Sequence, residues 1–140
     1  MSSDSFDFSW MVGCSITSVR FNEPSQWVFA FEAPSDIGTE SPWRVLKDGH
    51  VAVSSEDHLQ QYGLPAPIDA ALATTSMFES LVITFVEVRE GTADLCIEFT
   101  DQVRLEIIPI SSGYESWIVT TPTSFQVIAQ GGGKLSGFKS

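Results

Sequence analysis

With 140 residues, 43% of them hydrophobic, the chain has material for one folded core and is too apolar to be disordered. A formal net charge of −11 and a pI near 4.3 exclude nucleic acid and anionic membrane as partners, since both would repel it. Cys14 and Cys96 are the two cysteines; they give no disulfide framework and are expected as buried, reduced thiols, which fits a cytoplasmic protein.

The opening MSSDSFDFSW has no basic start and no long apolar run, so it does not read as a signal peptide. No apolar stretch approaches the length of a membrane span. Trp10 to Gly13 is expected to pack on the first strand, and residues 15–32 read as a hairpin. Ile16, Val19 and Phe21 precede a turn at Glu23-Pro24-Ser25, and Trp27, Phe29 and Phe31 alternate after it. Pro34, Ser35, Asp36 and Gly38 mark 33–39 as a loop, with a short strand around Thr39 to Leu46. Lys47-Asp48-Gly49 is a turn signal before a strand at His50 to Val53. Ser54, three residues ahead of Asp57, resembles a helix start that Gly63 ends.

From Pro67 the period changes. Ile68, Leu72, Thr75 and Phe78 follow helical spacing, so 67–79 is predicted as the main helix, with proline in its first turn. Leu81 to Ile110 then reads as a three-stranded meander. Val82, Thr84, Val86 and Val88 are expected on one face, with Ile83 and Phe85 on the other. Glu90-Gly91 turns the chain into Leu95, Ile97 and Phe99; Thr100-Asp101-Gln102 turns it into Val103, Leu105 and Ile107. Pro109 closes the run, because proline cannot donate to a central ladder. Tyr114 to Thr121 and Phe125 to Ala129 are expected as strands, and residues 131–140 as a flexible tail.

The first hairpin repeats in the meander. Ile16, Val19 and Phe21 align with Ile83, Val86 and Val88, and Trp27, Phe29 and Phe31 with Leu95, Ile97 and Phe99. Glu40-Ser41-Pro42-Trp43-Arg44 aligns with Glu115-Ser116-Trp117. The expected fold is therefore α+β and mostly β, a single domain over 1–140. Two similar antiparallel meander units, about 10–46 and 77–120, form a sheet, a sandwich or a partial barrel, with one main helix between them.

Chemistry is sparse. His50 and His58 have no ligand-like spacing to cysteines or carboxylates, so no metal site is predicted and both read as surface or turn residues. No G-x-S-x-G elbow accompanies the many serines, and neither cysteine has an activating motif. Gly131-Gly132-Gly133-Lys134 is followed by Leu135 rather than Ser or Thr, so it is no phosphate loop. No catalytic residue or cofactor is assigned. Glu87, Glu90, Asp94, Glu98, Asp101 and Glu106 fall on solvent-facing strand positions or turns, as a solvated face or as an acidic docking patch. Trp43, Arg44, Tyr114, Glu115 and Trp117 occupy matching ends of the two units. They read either as buried anchors or, with Glu90 and Asp94, as interface residues.

Val12-Gly13-Cys14 with Ile16 and Val19, Trp43-Arg44, Tyr114-Glu115 with Trp117, and the glycines from 131 appear in this order. That order resembles a loose group of small bacterial proteins of unknown function with a duplicated β-meander. In size and acidity the chain is similar to immunity proteins of bacterial toxin systems. The resemblance implies a non-enzymatic cytoplasmic protein-binding module, an immunity-type inhibitor of a basic partner, and brings no catalytic residues. Two other readings stand beside it: a small-ligand or catalytic module with its site in a cleft between the two units, and a subunit that self-associates through its sheet edges.

Overall fold

The computed structural model describes residues 6–139, and its eleven strands form two antiparallel sheets. The strands are β1 (Ser18–Asn22), β2 (Gln26–Ala30), β3 (Asp36–Thr39), β4 (Trp43–Lys47), β5 (His50–Ser54) and β6 (Ile83–Val88). They continue as β7 (Leu95–Phe99), β8 (Val103–Ile107), β9 (Trp117–Thr120), β10 (Phe125–Gln130) and β11 (Lys134–Lys139). One sheet has the order β1-β2-β3-β9-β10-β11, the other β5-β4-β8-β7-β6. Neither closes into a barrel. Their inner faces share one hydrophobic cluster: Trp43 of the second sheet meets Trp27 and Phe29 of the first edge-to-face, at 5.0 and 5.2 Å.

Pairing registers repeat between the two units. Trp27 and Phe29 lie opposite Thr39 and Ile37; Leu95 and Ile97 lie opposite Ile107 and Leu105. Val19 pairs with Phe29 as Val86 pairs with Ile97. The tryptophan strands then change sheets. β4 of the first unit pairs with β8 of the second, setting Trp43 against Ile107, and β9 pairs with β3, setting Trp117 against Thr39. Each sheet therefore contains strands from both units, so neither unit completes a sheet alone.

Strands β7 and β8 form where the alternation is cleanest, and Leu95, Ile97, Phe99, Val103, Leu105 and Ile107 are all buried. Their two-residue turn places Asp101 and Gln102 at positive φ, the backbone that matches strand twist. In β6 the register shifts between Ile83 and Phe85. This bulge turns Ile83 inward with Val86 and Val88 and leaves Phe85 exposed, correcting the expected face assignment.

Further expectations are corrected. The expected loop at 33–39 holds β3, and the strand expected over 39–46 begins only at Trp43, in the other sheet. The main helix, α1, runs Ala70–Phe78 rather than 67–79, because Asp69 is its N-cap and accepts from the Leu72 N–H at 3.0 Å. Its buried face is Ala70, Thr74 and Phe78, four residues apart, whereas Leu72 is exposed. The Ser54–Asp57 capping box forms as read, but opens only a single 3₁₀ turn. Residues 134–139, expected as tail, form β11 on the edge of the six-stranded sheet; Ser140 lies outside the described residues.

The helix lies along β1 and β5, the two edges on one side of the layers. The Thr75 hydroxyl accepts from the Val19 N–H at 2.9 Å, so the outer edge of β1 is blunted against further pairing.

Candidate functional site

The turns that carry most of the sequence-predicted interface residues meet at one end of the sandwich. Antiparallel order brings the β6–β7 turn, the β3–β4 and β8–β9 loops and the β10–β11 turn to that end. Glu90 and Asp94 lie on the first, Tyr114 and Glu115 on the β8–β9 loop. Trp43 and Trp117 begin their strands here but are 1% and 0% exposed, so the buried-anchor reading holds and the interface reading is corrected. An inward tryptophan at the first strand position has no way out through the opposite sheet. Trp117 donates its indole N–H to the Ala93 carbonyl at 2.8 Å, tying β9 to the β6–β7 turn.

Arg44 lies apart, on the outer face of the five-stranded sheet. There it pairs with Glu106 at 2.7 Å, and Arg104 lies 2.9 Å from Glu106 and 3.2 Å from Glu98. Two of the six carboxylates read as a docking patch are thereby matched by arginines on their own sheet. No ion pair holds Glu40, Glu90, Asp94 or Glu115 among the described residues. These four add negative charge without an ion pair at the loop end, as Asp48, Glu56, Glu79 and other described residues do elsewhere on the surface.

The β8–β9 loop is braced although its side chains project. Ser111 Oγ accepts from the backbone N–H groups of Gly113 and Tyr114 at 3.0 and 2.8 Å. The Ser111 carbonyl accepts from the Gly132 N–H at 3.1 Å, and the Ser116 N–H reaches the Ala129 carbonyl at 2.8 Å. Thr39 Oγ1 donates to the Ser116 carbonyl at 2.7 Å, and the Ser41 and Ser116 hydroxyls pair at 2.7 Å. On this fixed backbone Tyr114 is 81% and Ile110 76% exposed. Together with Glu40, Pro42 and Glu115 they line an open cleft of about 750 Å³. Ser25 Oγ donates to Glu40 at 2.5 Å and fixes that carboxylate at the rim. No basic side chain among the described residues lines the cleft.

The glycine run supplies the brace. Gly131 packs so closely on Gly113 that a Cβ would sit 2.5 Å from its backbone, and a Cβ on Gly133 would strike the Gly91 carbonyl. The turn is thus wedged between the loop carrying Tyr114 and the turn carrying Glu90. Ile110, Glu40 and this wedge were missed in the sequence. Ile110 is there only the end of the Leu81–Ile110 stretch, just past Pro109, and its place before Ser111-Ser112-Gly113 is the signal for a loop.

The remaining chemical candidates are placed singly. His50 is exposed. His58 is half-buried rather than a plain surface residue: its Nδ1 accepts from the Ala70 N–H at 3.1 Å, and its ring packs on Phe21 and Trp27. Among the described residues no three His, Cys, Asp or Glu side chains converge as a metal site. Cys14 and Cys96 are half-buried free thiols. Burial pushes the Cys96 thiol up despite the lowering effect of its contact with Arg104 at 3.0 Å. No described helix is long and apolar enough to cross a membrane. Against protein families, curated proteins and solved structures the chain finds no match, so the residues of the loop end alone carry the functional reading.

Proposed function

We propose that the protein is a non-enzymatic binding module that docks a basic protein partner on the loop end of its sandwich. The observation that carries this reading is Tyr114 and Ile110, both more than three-quarters exposed on a loop whose backbone is braced at Ser111, Gly113, Tyr114 and Ser116. Exposed apolar side chains on rigid backbone lose little entropy on binding, which is the economy of an interface anchor. The carboxylates around them form no ion pair among the described residues, and a net charge of −11 favours approach of a cationic surface. An immunity-type inhibitor of a basic toxin is the form of this reading that small size and acidity favour.

A small-ligand site would use the same cleft, which the first unit lines from Glu40 to Pro42 and the second from Ile110 to Ser116. Ligand pockets bury most of their occupant, however, and a cleft whose aromatic wall is 81% exposed suits a protein surface better.

The test is the rate of association with a captured partner, followed by stopped flow from low to high salt. A basic partner is expected, with association slowing as salt rises. Tyr114→Ala should act on dissociation, and Glu90→Lys with Asp94→Lys on association. An acidic partner, or association indifferent to salt, contradicts the proposal.

A further inference from the structure

We infer that the cleft between the 40–42 and 110–116 loops receives an arginine side chain of the partner; this deepens the binding-module reading and rests on it. The cleft is lined by apolar and acidic side chains together. Pro42, Ile110 and Tyr114 offer the apolar surface, and Glu40 and Glu115 the carboxylates. An arginine matches both features in one side chain. Its methylene stem covers apolar surface, and its planar guanidinium stacks on an aromatic face while donating to carboxylates in a fork.

The arrangement is set before any partner arrives. Glu40 is held by Ser25 Oγ, and Tyr114 stands on a turn that Ser111 Oγ closes. Among the described residues neither carboxylate has an ion-pair partner, and no lysine or arginine lines the cleft. The outer face of the five-stranded sheet differs in this respect, because its arginines already occupy Glu98 and Glu106. Lysine would supply the charge without the plane, so stacking on Tyr114 favours arginine.

Amide chemical shifts of the full chain, titrated with acetyl-arginine-amide and with its neutral isostere acetyl-citrulline-amide, test the inference. Arginine amide should give saturable shifts confined to residues 40–42 and 110–116, with citrulline amide binding about fivefold more weakly or worse. Tyr114→Ala and Glu115→Gln should each weaken arginine binding by a similar factor. Both positions are solvent-exposed, so the variants retain the fold, and an unchanged amide spectrum elsewhere confirms it. Equal shifts with citrulline amide, or shifts scattered over distant carboxylates such as Glu32 and Glu79, overturn the inference. The wider reading is judged separately, by whether Tyr114→Ala still holds the captured partner. Loss of the partner without arginine selectivity sinks the arginine site alone, and retention of the partner sinks both.

Discussion

Alanine at Gly131, Gly132 and Gly133 in turn should separate backbone strain from collision within one turn. At Gly132 φ is +80° and a Cβ meets nothing nearer than 3.7 Å, so only the left-handed backbone is penalised. That costs about 1–2 kcal/mol, offset by roughly 0.4–1 kcal/mol from a stiffer unfolded chain. At Gly131 φ is not left-handed, but the Cβ would lie 2.5 Å from Gly113 backbone atoms that cannot swing away. Overpacking of that kind costs about 1–3 kcal/mol. Gly133 combines φ of +81° with a collision against the Gly91 carbonyl, whose carbon would be 2.7 Å away. Its net cost should reach about 2–4 kcal/mol. Denaturant unfolding with a common slope m reads the differences directly. Gly133→Ala should be worst and Gly132→Ala mildest. A Gly131→Ala variant as stable as the parent would refute the wedge between the Tyr114 loop and the Glu90 turn, because Gly131 carries no left-handed strain and only the collision with Gly113 penalises a Cβ there.

Phe99 is buried and stacked on Phe78 at 4.6 Å, so Phe99→Ala should cost about 3–5 kcal/mol; an unchanged thermal midpoint would mean that the inner face of β7 is misassigned. His58→Phe keeps a ring against Phe21 and Trp27 but removes the acceptor for the Ala70 N–H, and should cost about 1 kcal/mol by urea titration. Burial raises the Asp36 carboxyl pKa above its ordinary value, outweighing its bond with Thr120 and the pull of Arg20. A raised carboxyl pKa means that the folded state holds the proton more tightly than the unfolded one, so this stabilisation is present at low pH and lost as pH rises through the folded value. Asp36→Asn should therefore raise the thermal midpoint at neutral pH, with the gain fading below the carboxylate range; a gain independent of pH would contradict the burial argument.

Strands β7 and β8 were legible because their inward positions are unbroken aliphatics and Phe99, and their turns are short. The duplication was legible for the same reason, since Trp27, Phe29 and Phe31 sit at the spacing of Leu95, Ile97 and Phe99. Strand β3 was hidden: Asp36 and Gly38 disfavour strands, and only its place between β2 and β9 holds them there. Strand β11 was hidden by the same mechanism, since Gly131 to Gly133 read as slack until Gly113 and Gly91 crowd around them. The phase of α1 was misread because Pro67 suggested a start that Asp69 takes instead. At the loop end, Glu90, Asp94, Tyr114 and Glu115 could be named from turn signals and charge, but alternation alone could not show that Trp43 and Trp117 face the opposite sheet. The exchange of tryptophan strands between sheets is a long-range pairing, and a local pattern carries no record of it.

The loop end as docking surface is tested most directly by site-specific photo-crosslinking. A benzophenone side chain placed at position 114 should capture a basic protein from the native host, and the yield should fall as salt is raised. The same group at Leu72 on α1 or at Val51 beside the Lys47–His50 turn is also exposed to solvent and should capture none. Crosslinks of equal yield from all three positions, or from position 72 or 51 alone, would contradict a partner docked on the loop end.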